Sequence, residues 1–81
     1  MMTREALLAR MKGETLEVPI ISEQSLKAMD LSNADLKGAT FSNVDFSKTD
    51  FSGADLSASN FISCNLDATN FKCAVMSGAS L

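Results

Sequence analysis

The chain reads as an all-β solenoid built from very short repeats, and three features of its 81 residues point there. The first is spacing. From Leu16 onward every fifth residue is large and apolar: Leu16, Ile21, Leu26, Leu31, Leu36, Phe41, Phe46, Phe51, Leu56, Phe61, Leu66, Phe71, Met76 and Leu81. A period of five fits neither the 3.6 of a helix nor the 2.0 of a strand. Strict self-similarity at so short a period means that each repeat buries its apolar residue only by stacking on its neighbours. The second feature is a row of small or medium side chains two residues before each centre, from Ala34, Ala39, Val44, Thr49 and Ala54 through Ser59, Cys64, Thr69, Ala74 and Ala79. The third is Asp or Asn just before the centre, at Asp30, Asp35, Asp45, Asp50, Asp55, Asn60, Asn65 and Asn70.

In that frame the chain yields units such as Ala34-Asp35-Leu36-Lys37-Gly38 and Ala54-Asp55-Leu56-Ser57-Ala58. These units resemble the pentapeptide-repeat family, whose consensus is A-(D/N)-L-x-x. The resemblance implies a right-handed quadrilateral parallel β-helix of just over three coils, with one pentapeptide per side. Residues twenty apart then stack, and the columns agree in volume: Leu16, Leu36, Leu56 and Met76; Ile21, Phe41, Phe61 and Leu81; Leu26, Phe46 and Leu66; Leu31, Phe51 and Phe71. Tight interiors require such matching. Glycines 38, 53 and 78 fall at corner positions of the repeat.

The chain divides into a cap over residues 1–15 and repeats over 16–81, of which 16–30 form an irregular first coil. Thr3 caps a short helix running to about Lys12, with Gly13 just past its end. Leu7, Leu8 and Met11 lie on one face; Arg4, Arg10 and Lys12 are expected largely on the other. The apolar face covers the open top of the solenoid, since terminal repeats need capping. In the first coil Glu14, Pro19, Gln24 and Met29 occupy the small-residue position. Pro19 has no amide hydrogen, which suits an edge.

Composition excludes several functions. A chain this short forms one domain. It has no stretch able to span a membrane and no signal-peptide profile, so the expected location is cytoplasmic, or outside by a route that needs no signal peptide. Cys64 falls on an inward position and Cys73 on an outward one, so they are not expected to pair. Cys64 reads as a small buried hydrophobe and Cys73 as an exposed thiol, tolerated in a reducing compartment. Histidine is absent, removing the commonest general base and zinc ligand. All five phenylalanines are repeat centres expected to point inward, so no aromatic platform for bases exists. A net charge of −3 also argues against direct contact with nucleic acid.

Stacking places Asp30 beneath Asp50 and Asp35 beneath Asp55, but a convex wall offers such carboxylates no pocket. Lys37 is expected above Glu17 as an opposite-charge pair. Neither an enzyme nor a cofactor site is expected. The favoured function is a non-enzymatic interaction or scaffolding module with a protein partner. Thr3-Arg4-Glu5-Ala6-Leu7-Leu8-Ala9-Arg10 is similar to the start of pentapeptide arrays in bacterial type VI secretion accessory proteins, which implies an accessory role in secretion or effector delivery. Val18 to Met29 departs from those arrays. The alternative is a DNA mimic that binds DNA gyrase, although mimics of that kind are longer and more acidic.

The last coil leaves Leu66, Phe71, Met76 and Leu81 on an open end with unpaired backbone groups, a hazard that proteins normally cover. A homodimer joined end to end through that coil, helices outward, is therefore expected; a longer array would cover the same end. In the core, Phe51→Ala or Phe61→Ala should be severe, whereas Asp45→Ser should be nearly neutral.

Overall fold

In the computed structural model, residues 3–11 and 20–81 are described. Expectations for Lys12, Gly13, Glu14, Leu16, Glu17 and Pro19 lie outside them.

Helix α1 spans Arg4–Met11. Thr3 caps it: its Oγ1 accepts the Ala6 amide at 3.1 Å, and its carbonyl accepts the Leu7 amide at 2.9 Å. After it come three short strands, β1 (Ile20–Ser22), β2 (Thr40–Ser42) and β3 (Asn60–Ile62). They form one parallel sheet in the order β1-β2-β3, with Ile21 opposite Phe41 and Phe41 opposite Phe61. The register advances by twenty residues per strand.

The same advance recurs on three further sides, where single parallel bridges join Ser25, Asp45 and Asn65, then Asp30, Asp50 and Asn70, then Asp35, Asp55 and Val75. The chain is thus a four-sided β-helix solenoid, with a ladder on each side. Why does only one side hold strands of three residues? On the other three sides a tight turn follows each centre, as where the Met29 amide donates to the Leu26 carbonyl at 3.1 Å, and Thr49 to Phe46 at 2.9 Å. Such i to i+3 closure ends the extended run. No equivalent bond follows Ile21, Phe41 or Phe61, and there the strand continues.

Every turn needs a left-handed residue two places after its centre. Glycine fills that place at Gly38, Gly53 and Gly78, but Ala28, Ala58 and Ala68 are held at φ of 58°, 56° and 56°. An L side chain in that region is strained, so the ladder and the packed centres must impose the conformation.

The centres point inward. Leu26, Leu31, Leu36, Phe41, Phe46, Phe51 and Leu56 are fully buried. Column neighbours Phe41 and Phe61 stack at 5.0 Å, and Phe51 and Phe71 at 5.5 Å, while Phe41 meets Phe46 edge-on at 4.9 Å. Such pairs add to simple burial. Ala34, Ala39, Val44, Thr49, Ala54 and Ser59 fill the inner corners, and the two hydroxyls are satisfied: Thr49 donates to the Leu26 carbonyl and Ser59 to that of Leu56.

Phe71 is half-buried, in the last of the described coils. Two expectations need correction. Cys64, on an inward position of that same coil, is half-buried rather than buried, its thiol lying 3.4 Å from the Phe41 carbonyl. Arg4 and Arg10 do not lie on the far face of α1 but reach over the edge of the first coil.

Candidate functional site

Interior ladders follow one rule. The amide of each centre donates to the carbonyl preceding the next centre in its column, as Leu31 to Asp50 at 2.8 Å and Phe51 to Asn70 at 2.7 Å. The corner amide two residues on does likewise, as Asn33 to Ser52 and Gly53 to Lys72, both at 2.9 Å. At either end of a solenoid the rule runs out of partners. Those two ends are the candidate sites.

At the first end α1 supplies substitutes. Arg4 donates through Nη1 to the Asp30 carbonyl at 2.8 Å and through Nη2 to the Ser32 carbonyl at 3.2 Å. These are the two acceptors that a preceding coil would have filled. A guanidinium presents two parallel donors in a fixed fork, and here it stands in for two ladder amides. The Arg4 head also lies 3.9 Å from the Asp30 carboxylate. Arg10 gives the Ile20 carbonyl the same service at 2.8 Å. Beneath them Leu7 is fully buried, and Leu8 and Met11 pack half-buried against the core. A signal for Arg4 was available in the sequence. It stands three and four residues before Leu7 and Leu8, hence at the rim of their stripe rather than opposite it.

The other end has no such cover among the described residues. Leu66, Phe71 and Met76 are half-buried, and Leu81 is 68 % exposed. The amides of Leu66, Ala68, Phe71, Cys73, Met76 and Gly78 find no backbone acceptor among the described residues. The structure thus places the four candidate interface residues together at this open edge.

The walls are polar and already occupied. Asp30, Asp45 and Asp55 each accept the amide two residues on, from Ser32 at 3.0 Å, Ser47 at 2.9 Å and Ser57 at 3.0 Å. Ser32 and Ser57 add their hydroxyls to the same carboxylates. These bonds hold the carboxyls of Asp30 and Asp55 below the usual range, with the serine hydroxyl as the largest cause; for Asp45 the Ser47 amide leads. Asn65 and Asn70 make the same bond to Asp67 and Lys72. Asp45 therefore has a local task, and Asp45→Ser removes a turn-closing acceptor; the expectation of near neutrality gives way to a modest loss. Asp30 and Asp50 are bridge partners, as are Asp35 and Asp55.

Among the described residues no three His, Cys, Asp or Glu side chains are placed to hold a metal ion. Both cysteines are free, with Cys73 exposed. An open groove of about 390 Å³ runs between α1 and the wall, lined by Arg4, Leu8, Met11, Asn33, Ala34, Asp35 and Lys37. Its charges are of both signs and its only carboxylate is Asp35. No helix among the described residues is long and apolar enough to cross a membrane.

A family model described as pentapeptide repeats matches the chain in 8 copies, over residues 25–57 and 49–81. No curated protein matches it.

Proposed function

Because this chain belongs to the pentapeptide-repeat family, we propose that it is a non-enzymatic interaction module that works through its C-terminal coil. In this reading two right-handed, four-sided helices of just over three coils each meet end to end, with α1 outward on both. The observation that carries it is the contrast in edge chemistry. At one edge the Ile20, Asp30 and Ser32 carbonyls are held by arginines, while the other offers amides around Leu66, Phe71 and Met76 together with the Cys64, Thr69 and Ala74 carbonyls, none of them paired with backbone among the described residues. Free strand edges are templates for pairing, and the apolar centres between the ladders add burial. An exposed Cys73 suits a reducing cytoplasm.

The similarity to secretion accessory proteins rests on Thr3 to Arg10. Thr3, Arg4, Leu7 and Arg10 each have a structural task at the covered edge, so the similarity supports a cap before it supports a pathway. The gyrase-binding alternative rests on carboxylate columns, and these are short: Asp30 and Asp50 continue into Asn70, Asp35 and Asp55 into Val75.

Light scattering coupled to size exclusion tests the proposal. A dimer is expected at tens of micromolar, converted to monomer by Phe71→Glu or Met76→Glu. A persistent monomer, unchanged by either substitution, overturns it.

A further inference from the structure

We infer that α1 conceals a second self-association surface: with the helix displaced, the N-terminal edge of one copy takes the C-terminal edge of another, and copies add head to tail. The partner is a second copy of this chain, identified by the match of donors to acceptors. In the column of Leu31, Phe51 and Phe71, the Leu31 and Asn33 amides bond to Asp50 and Ser52, and those of Phe51 and Gly53 to Asn70 and Lys72. The next donors in line are the amides of Phe71 and Cys73, which have no backbone acceptor among the described residues. The matching acceptors at the opposite edge are the Asp30 and Ser32 carbonyls, the pair held by Arg4.

On this side, therefore, one guanidinium stands where two amides of a second copy would donate. The apolar column continues as well. Phe71 of an added copy would lie on Leu31, the residue on which Phe51 lies within one chain, and Leu66 would meet Leu26. Leu7 now occupies that mouth and is fully buried. A heterologous contact of this kind does not close on itself, so it propagates as a filament. The inference is separate from the end-to-end dimer. Both use the C-terminal edge, but only head-to-tail growth needs the edge beneath α1.

The test uses the full chain carrying Arg4→Ala with Leu7→Asp, and in parallel Arg4→Ala with Arg10→Ala, which leaves Leu7 in place. Circular dichroism reports the fold, light scattering the mass, and electron microscopy the shape. Expected is a concentration-dependent rise in mass of about tenfold or more over the unsubstituted chain, in filaments one solenoid wide, as open heterologous assembly requires. Adding Phe71→Glu to the same chain should abolish them. Substoichiometric unsubstituted protein should shorten them, because its open edge fits a filament end while its own covered edge stops growth. If either chain keeps the solenoid spectrum, loses the helical signal of α1 and still shows the unsubstituted mass, the inference is wrong. Aggregates indifferent to Phe71→Glu and to added unsubstituted protein overturn it equally.

Discussion

The two ends of this solenoid are made from the same repeat and are finished in opposite ways. Phe51 and Phe71 belong to one column and stack nearly face to face, with 14° between the rings. Yet Phe51 is fully buried and Phe71 only half so. Leu26 and Leu31, in the first rows of their columns, are as dry as Phe51 because α1 lies over them. Burial in such a structure is a property of what lies on either side of a coil. Residue type decides which way a side chain points, and neighbours decide what that is worth.

The largest expected effect comes from breaking this contrast at its centre. Phe51→Ala should cost about 3–5 kcal/mol, the range for emptying a packed aromatic site, and is expected to unfold much of the protein. Phe71→Ala, in the same column but facing the open end, should cost less than half as much in the monomer, below the concentration at which the proposed dimer forms. Urea titration of the two variants measures the difference. Equal losses would mean that the open edge is covered in solution.

The covered end gives the next effect. Leu7→Ala should cost about 2–3 kcal/mol, the lower part of the range for a leucine core site, since a docked helix can settle into the space. Arg4→Ala should cost about 1 kcal/mol, near the net worth of an ordinary hydrogen bond. Arg4→Lys should not recover it, because one ammonium cannot reproduce the fork that spans Asp30 and Ser32. Hydrogen exchange should show the loss first in the amides of Leu31 and Asn33, on the same edge.

Smaller gains are available at the corners. Ala58→Gly or Ala68→Gly removes a strained left-handed alanine and should raise stability by about 0.5–1 kcal/mol. For a domain of this size that is a rise in Tm of a few degrees. Calorimetry on each variant decides it, and a fall in Tm would show that the alanine methyl packs usefully.

The smallest effect concerns acid. Lowered carboxyls bind fewer protons when folded than when unfolded, so their contribution is complete above the ordinary aspartate range near pH 4. It is lost as pH falls through the folded values of Asp30, Asp45 and Asp55. Urea midpoints should therefore be flat from about pH 5 to 8 and drop below about pH 4. Asp55→Asn should keep the turn, as Asn65 and Asn70 do, while flattening that acid dependence.

The frame was legible because each pentapeptide carries its own signal, and fourteen centres in step leave little freedom. The columns followed once twenty residues were taken as one circuit. Corners were less legible. Gly38, Gly53 and Gly78 advertise a left-handed backbone, Asn33 and Asn43 permit it, and Glu23, Ala28, Lys48 and others are held there by the ladder and the packed centres. Arg4 and Arg10 are hard to place from sequence because charge ordinarily marks a solvent face, whereas their length carries the head across the rim to carbonyls at the edge of the coil. The edge at Leu66 to Leu81 was visible as a break in the pattern. What meets that edge depends on how two surfaces fit in three dimensions, which a pattern of centres does not state.

The constant advance of twenty residues has a kinetic consequence. Every ladder contact, from Ile21 with Phe41 to Asn60 with Ser80, closes a loop of the same length. The entropic cost of closure depends on loop length, so no contact is dearer to make than another. Folding should then start wherever two circuits first pack, with the phenylalanine-rich middle the favoured place, and spread one circuit at a time in both directions. Lengthening such an array adds steps of equal size without raising the first barrier.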